Sequence, residues 1–498
     1  MRNFFKGILL GVLLLATGYS NRAFSLLGPF ASYQISSLNY ESPFTSIALG
    51  GDEGGPMNLG EEYRWGSPVV VYGFDSSFVE YFGAQGVAAV EAAIKVLNDL
   101  PPTSAMSSSL NEFPLNTTRF NYTAQQLRLR DIKSTVLSIL LQQMGLACPE
   151  RYTWTIFQQR PIDGTDPQQY VYSIIQRNFD PITFRPSAYV NNTLYTYQIL
   201  QISADPDTWD CQELGVDVAN PNVSVVATAG LQAGTVDARI EQQVYGASDV
   251  VLGGFGLFYS GLTRDDVAGF RYLYRNQNTN WQAAPVGTFG SAAYSPWANI
   301  SFQIVYPNPI SPWTVVGGPI LGATNGAIGV IGSGFQATGG RGGPGKLSFV
   351  RIDTDPLLGQ YLVPVTVSYP ETVIDQSGFA VRQVAARTIL TPDIVFSATD
   401  LGAYPNNPSP YVYGIIGTTF LQTPNPGVTT AQDGPGILET GVTVALNKVG
   451  PWLFNFLDSD QLAGVRGFTW GSFNGTTNAP IVYPVGASAE ELESRLFP

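Results

Sequence analysis

The sequence DIKSTVLSILLQQMGLAC (131–148) decides the fold prediction, because its apolar residues recur at three- and four-residue intervals. Ile132, Val136 and Ile139 then lie on one face, which predicts a helix of about four turns. Gly145 stands where such a helix would end. The segment is therefore predicted to be a buried or half-buried helix that stops at this glycine.

The same segment has the spacing of the zinc-protease motif H-E-x-x-H-x-x-G-x-x-H, in which histidines one turn apart bind zinc and the glutamate acts as a base. Ser138, Gln142 and Cys148 occupy the three ligand positions, and Ile139 occupies the glutamate position. Only Gly145 matches the motif. Hydroxyl and amide groups are poor zinc ligands and isoleucine cannot take a proton from water, so we predict no metal and no catalytic residue here.

Three further segments predict a strand and two helices around this helix. PVVVYGF (68–74) is typical of a buried strand. An amphipathic helix is predicted next, with Val87, Val90, Ile94 and Leu97 on one face. LTRDDVAGFRYLY (262–274) predicts a last helix, which begins with Thr263 and Asp266 in the spacing of a capping box.

In this order, the segments resemble the matrixin-type metzincin proteases over roughly residues 66–275. The ending, Leu-Thr-x-Asp-Asp-hydrophobic-x-Gly before Leu-Tyr, is the most specific match, and the helix without its ligands is the second. The resemblance implies a catalytically inactive, zinc-less matrixin-like domain, which we assign to residues 61–280. On the helix alone, any amphipathic helix that ends in glycine would fit the spacing equally well.

The chain of 498 residues contains no histidine. This removes the usual general base of Ser-His-Asp and Cys-His systems. A carboxylate pair could still act as in glycoside hydrolysis, but no pair stands out from the aspartates of turns. We therefore predict that the protein is not an enzyme. Its net charge of −13 argues against nucleic acid as a partner, because phosphates require a basic surface.

The N-terminus has the pattern of a secretory signal peptide. Arg2 and Lys6 precede an apolar run over residues 8–16 that is too short to span a bilayer. We assign residues 1–25 to the signal peptide. Its cleavage would follow one of four small residues: Gly18, Ser20, Ala23 or Ser25. Later segments are too short for a membrane helix, so a secreted or cell-surface chain without a membrane span is predicted.

Export permits disulfide bonds, and Cys148 and Cys211 are the only two cysteines of the chain. We predict that they form a bridge, which would stabilise the fold by about 4 kcal/mol through loop closure. Two free thiols are the alternative.

Two kinds of surface ligand are suggested by short motifs. The segments 162–167 and 205–210 cluster aspartates as calcium loops do, although aspartate also favours ordinary turns. Calcium is therefore a candidate cofactor. Six sequons mark candidate glycosylation positions: Asn116, Asn121, Asn191, Asn222, Asn299 and Asn474.

Residues 26–60 form a polar extension that carries one apolar patch. The patch comprises Leu26, Leu27, Phe30, Tyr33 and Ile35. Because it precedes any predicted domain, we expect it to be exchanged between subunits, adding as a strand to an open sheet edge after Trp281 of another copy. The alternative is that it folds back on residues 61–100 of its own chain.

Residues 281–498 contain strand-like runs separated by Gly, Pro and Asn, which predicts an all-β, sandwich-like domain and an α+β chain overall. The whole chain also resembles poorly characterised secreted bacterial proteins, some of which are similar to extracellular filament subunits. We predict a non-enzymatic structural protein that assembles with copies of itself into a filament or surface layer. The alternative is a cell-surface module of a bacterial exoprotein that binds carbohydrate.

Overall fold

The structure is a computed structural model that describes part of the chain. The described residues are 23–28, 55–127, 129–165, 169–201, 209–216, 255–283, 288–291, 305–306, 314–315, 338–352, 365–374, 378–389, 392–398, 420–422, 436–438, 442–446 and 469–486.

Four α-helices lie in the described residues. They are α1 (Ser76–Asn98), α2 (Tyr122–Gln126), α3 (Ile132–Gln143) and α4 (Arg264–Tyr274), with one 3-10 turn at Thr103–Ala105. The strands up to residue 260 are β1 (Phe24–Gly28), β2 (Gly55–Pro56), β3 (Tyr63–Arg64), β4 (Val69–Phe74), β5 (Thr118–Phe120), β6 (Leu129–Asp131), β7 (Leu146–Ala147), β8 (Thr155–Ile162), β9 (Gln169–Ile175), β10 (Asn178–Phe179), β11 (Tyr189–Val190), β12 (Thr193–Gln201), β13 (Trp209–Gly215) and β14 (Leu257–Tyr259).

Strands alone follow α4 in the described residues. They are β15 (Asn280–Ala283), β16 (Thr288–Ser291), β17 (Val305–Tyr306), β18 (Thr314–Val315), β19 (Thr338–Arg341), β20 (Ser348–Arg351), β21 (Val365–Ile374), β22 (Ala380–Ile389), β23 (Ile394–Ser397), β24 (Phe420–Gln422), β25 (Gly436–Leu438), β26 (Val442–Ala445), β27 (Thr469–Ser472) and β28 (Ile481–Val482). The chain is therefore of mixed α and β class.

The local elements predicted around the zinc-spaced helix are confirmed. The strand, the amphipathic helix and the central helix correspond to β4, α1 and α3. At α4 both halves of the predicted capping box form: the Thr263 hydroxyl accepts from the backbone N–H of Asp266, whose carboxylate accepts from the backbone N–H of Thr263.

The central sheet is parallel and takes strands from both halves of the sequence. Its order is β20-β4-β23-β26, with Val70 opposite Phe349 and Phe74 opposite Phe396. Because three of its four strands follow residue 281, the predicted boundary at residue 280 does not separate two folding units. A separate sandwich after that boundary is a wrong prediction for the described residues.

Other C-terminal strands also return to the N-terminal half. Strand β25 pairs with β3, and β27 pairs with β6, both in parallel. The larger antiparallel sheet, β15-β19-β21-β22-β16, is formed by C-terminal strands alone. The composition of the sequence indicates that these segments are strands. It does not indicate their partners, because the paired strands are hundreds of residues apart.

Helices α1 and α3 pack within one continuous core that extends to the C-terminal strands. The rings of Phe74 and Phe78 lie 5.0 Å apart, and those of Phe74 and Phe396 lie 5.4 Å apart. Trp470 and Tyr483 belong to the same core cluster as the apolar residues of α3. The burial that holds α1 and α3 in place therefore depends on residues from the far end of the chain.

A buried ion pair joins the antiparallel sheet to the parallel one. Arg387 of β22 donates to Asp393, and both side chains are almost fully buried, at 3% and 0% exposure. The Asp393 carboxylate also accepts the backbone N–H of Val71 at 2.8 Å. Removing one partner would leave a buried, uncompensated charge, which is costly.

The glycine-rich turn after β19 is a second junction. A Cβ atom added at Gly343 would lie 2.5 Å from the carbonyl carbon of Tyr274, so only glycine fits there. The Arg64 guanidinium, fully buried, donates to the carbonyl oxygens of Leu273, Asn278 and Arg341. The end of α4 is thus fixed to both β3 and β19.

Asp393→Ala should destabilise the whole described core by about 3–5 kcal/mol. The substitution leaves the buried charge of Arg387 uncompensated and removes the acceptor of the Val71 N–H. Denaturant unfolding should remain one transition, and hydrogen exchange of the β4 amides should accelerate with it. The matched control is Glu91→Ala in the exposed Arg351–Glu91 pair (side chains 40% and 41% exposed), which should cost less than about 1 kcal/mol. Unchanged protection of β4 in Asp393→Ala would contradict the prediction.

Candidate functional site

The residues at the vacated zinc-protease positions lie inside the core. Ser138, Ile139 and Gln142 are 0%, 2% and 7% exposed. Helix α3 is buried on all sides, with Leu137 and Leu141 as buried as Ile132 and Val136. In the described part of the chain no group of three or more His, Cys, Asp or Glu residues is placed to hold a metal ion. By its burial the helix is part of the hydrophobic core.

Gly145 matches the protease motif for a reason that concerns packing. Its φ angle is +98°, which favours glycine, and an added Cβ would lie 2.1 Å from the carbonyl oxygen of Tyr63. Two backbone carbonyls at the end of α3 accept hydrogen bonds from side chains. The Trp65 Nε1–H donates to the carbonyl oxygen of Gln143 at 2.7 Å, and the Tyr274 hydroxyl donates to the carbonyl oxygen of Met144, the C-cap, at 2.6 Å. The turn after α3 is thus held by β3 and α4.

The predicted Cys148–Cys211 disulfide is not formed in the structure. Both cysteines are buried thiols. The Cys148 Sγ donates to a carboxylate oxygen of Glu150 at 3.3 Å, whereas Cys211 packs with Ile156 in a small separate cluster. The count of cysteines made a bridge possible, but whether two cysteines are joined depends on the tertiary fold.

Leu26 and Leu27 of the N-terminal apolar patch pair with strands of their own chain, so the predicted strand addition to a sheet edge after Trp281 is not found in the described residues. Leu26 and Leu27 belong to β1, which is buried along its whole length. Strand β1 pairs antiparallel with β2, β7 and β10. Its hydrogen-bonded partner strands therefore lie before residue 180 and outside residues 61–100. Helix α4 and strand β3 also contact it, so part of the expected 61–100 surface does take part. Phe30, Tyr33 and Ile35 lie outside the described residues.

A buried carboxylate stands at the start of β1. Asp265 of α4 is 1% exposed, and its Oδ2 accepts the backbone N–H groups of Ala23 at 3.0 Å and Asn191 at 2.6 Å. Its Oδ1 is buried and has no hydrogen-bond partner in the described part of the structure. Burial raises the pKa of Asp265 well above its ordinary value; the two N–H donors lower it, and the neighbouring carboxylates of Asp266 and Glu150 raise it.

A second buried carboxylate, Asp131, caps α3. Its Oδ2 accepts the N–H of Ser134 at 2.9 Å and the Ser134 hydroxyl at 2.5 Å. Its Oδ1 accepts the N–H of Phe473 at 3.4 Å, which joins α3 to the C-terminal residues. Burial raises the pKa of Asp131 to about 6, although the hydrogen bonds from Ser134 and Phe473 lower it.

The sequons fall in different environments. Asn121 and Asn191 are fully buried. The Asn121 amide donates to Gly475 and Asn478, and the Asn191 amide donates to Thr263. These two positions are therefore wrong as surface predictions.

The remaining sequons and the calcium segments are only partly described. Asn116 is half-buried and Asn474 is exposed, while Asn222 and Asn299 lie outside the described residues. In the first calcium segment, Asp163 is exposed in the turn between β8 and β9, and Thr165 closes that turn by donating to the carbonyl of Ile162 at 2.9 Å. The second segment lies almost entirely outside the described residues.

No protein-family model, curated protein or solved structure matches the chain. The described helices include none that is long and apolar enough to cross a membrane. The matrixin resemblance consequently rests on the residues of the sequence alone.

Asp131→Asn should make stability less dependent on pH. The buried carboxyl has a raised pKa, so its contribution is full below about pH 4 and is lost as pH rises through about 6. Relative to the Asn variant, which retains the cap, the wild type should lose roughly 3 kcal/mol between these limits. Urea unfolding at pH 4, 5, 6 and 7 measures this, with Asp75→Asn at the half-buried cap of α1 as the matched control. A stability difference that stays constant with pH would contradict the prediction.

Two alkylatable thiols should be present in the purified protein. Unfolding it without reductant in the presence of iodoacetamide should modify both Cys148 and Cys211, whereas the folded protein should react slowly because both residues are buried. Peptide mass spectrometry reads the result. A cross-linked peptide that contains both cysteines would show that the bridge forms after all.

Proposed function

We propose that this chain is a secreted, non-enzymatic structural protein whose copies assemble into an extracellular filament or surface layer. The observation that carries the proposal is strand β1. This strand lies at the N-terminal end of the described chain, is completely buried, and pairs with three strands from other parts of the sequence.

Strand β1 has the properties of an exchangeable element. Residues 29–54 connect it to β2, and 26 residues can reach up to roughly 85 Å when extended. An identical groove exists in every copy, so β1 of one copy can occupy the groove of the next with the same contacts. If each chain gives its strand to one neighbour and receives a strand from another, the contact propagates without closing.

The interior of the groove explains how such an exchange would be specific. Phe24 contacts the rings of Tyr272 and Phe179, with centroids 5.2 Å and 6.3 Å away. An added Cβ at Gly269 of α4 would lie 3.1 Å from the Cβ of Phe24, so the absence of a side chain there makes room for the strand. In strand addition the main-chain hydrogen bonds supply affinity, and side-chain pockets such as that of Phe24 supply specificity.

A second surface supports assembly. Strands β8 and β9 form a two-stranded ribbon, which packs on β13 through Ile156 and Cys211. Phe157 and Val171 are 41% and 58% exposed on it. Ribbon edges with exposed apolar side chains are a common place for contacts between chains.

The remaining features fit a structural role within a matrixin-like frame. The positions of the zinc ligands and the general base hold Ser138, Gln142, Cys148 and Ile139, and these side chains pack in the core or beside it. Exposed sequons such as Asn474 would carry glycans on the outside of the assembly. This reading retains the polymer of identical subunits predicted from the sequence and changes only the acceptor surface.

A reversible lock on β1 tests the proposal. Ser25 and Asn178 are directly opposite in the β1–β10 pair, and their side chains are 3.3 Å apart. In the double variant Ser25→Cys with Asn178→Cys, an oxidised bridge formed in the monomer should keep β1 in its own groove. Size-exclusion chromatography and negative-stain microscopy should show monomers when the variant is oxidised and filaments or sheets after reduction.

The single variant Ser25→Cys is the matched control and should assemble in both conditions. Assembly of the oxidised double variant to the wild-type extent would reject strand exchange. A wild-type protein that remains monomeric and binds a glycan array would instead favour the carbohydrate-binding alternative.

A further inference from the structure

The buried carboxyl group of Asp265 lacks both a counter-ion and a full set of hydrogen bonds in the described part of the chain. It is buried, its Oδ1 has no hydrogen-bond partner in the described part of the chain, and Asp266 and Glu150 add negative charge to its surroundings. In its ionised form this group would be a buried charge without a counter-ion, which is unfavourable and is why its pKa is raised. The two backbone N–H groups that reach Oδ2 carry no net charge. The site therefore has the electrostatics of a pocket for a cation.

The group that faces this carboxylate is the backbone nitrogen of Ala23. It lies 3.0 Å from Oδ2 and is buried, with the Ala23 residue 0% exposed. Ala23 immediately precedes β1. Within the predicted signal region, Ala23 follows Arg22, which lies outside the described residues.

We propose that the chain is processed at the bond between Arg22 and Ala23, and that the new α-ammonium group of Ala23 is the counter-ion of Asp265. In this step a peptidase adds one water molecule across the peptide bond, which leaves a carboxylate on Arg22 and an ammonium group on Ala23. Compared with the amide, the ammonium group adds one positive charge and two more N–H donors next to the carboxylate whose Oδ1 has no partner in the described residues. The inference goes beyond the assembly function and does not depend on it.

The burial of β1 restricts where the N-terminus can lie. Cleavage after Ala23 or Ser25, two of the four bonds suggested by the sequence, would remove residues that are buried in the core. Cleavage after Gly18 or Ser20 would leave residues ahead of Ala23, and Ala23 would keep an uncharged amide nitrogen. Only an N-terminus at Ala23 both preserves the strand and supplies the charge.

The position of Asp265 explains why an N-terminal charge would matter to the fold. Asp265 is in the first turn of α4, directly after the Thr263 cap, and Asn191 joins both residues because its amide donates to Thr263 and its backbone N–H donates to Asp265. The ammonium group would therefore fix β1, α4 and the turn at Asn191 to one another. Processing becomes the step that completes the N-terminal sheet.

The first measurement is N-terminal sequencing and intact mass of the protein secreted by its own host, which should begin at Ala23. The second compares two recombinant chains, one that begins at Ala23 and one with a single glycine placed before it. The added glycine should raise the unfolding equilibrium constant by about 10- to 100-fold, since it replaces the buried ammonium with an amide.

Two variants connect the effect to the carboxylate. In the Asp265→Asn background the added glycine should have little further effect, whereas in Asp163→Asn, the matched control in an exposed turn, it should retain its full effect. If Asp265→Asn does not fold, the comparison of the two chains with Asp265 intact decides alone. A mature N-terminus other than Ala23, or equal stability of the chains with and without the glycine, would overturn the proposal.

Discussion

The pairing of β4 with β20 on one side and with β23 on the other is the interaction on which the rest of the fold depends. Strand β4 is buried over five of its six residues, and its neighbours come from the other half of the chain. Without them the backbone N–H and C=O groups of β4 would be buried without hydrogen-bond partners. Helix α1 would also lose the contact between the rings of Phe78 and Phe396. Parallel pairing over such separations requires the N-terminal and C-terminal halves to fold together.

The shared sheet also explains why the zinc-spaced helix α3 is buried on all sides. In a protease, one face of the helix must line an open cleft, whereas α3 is enclosed by α1, β27 and the core cluster. Serine, isoleucine and glutamine at the positions that the motif gives to ligands and base are compatible with such burial. Glycine is required at position 145 because the Tyr63 carbonyl approaches its backbone closely, which is a packing requirement.

Sequence reasoning succeeded where the information is local. The periodicity of α1 and α3, the β-branched run of β4 and the Thr263–Asp266 capping box each lie within one segment, and each is present in the structure. It failed where a property depends on a distant partner. The acidic pair of α4 identified a helix start, but the contact between Ala23 and Asp265 spans 242 residues and has no local signal. The same reason explains the two buried sequons and the absent disulfide.

The most direct test of a single folding unit is the behaviour of a chain that ends at residue 280, followed by circular dichroism and amide hydrogen exchange. Such a chain keeps α1, α3, α4 and β4 but lacks β20 and β23. We predict no cooperative unfolding transition and no protection of the β4 amides. A truncated chain that unfolds cooperatively, with β4 amides protected as in the full chain, would contradict the dependence of the fold on the shared parallel sheet.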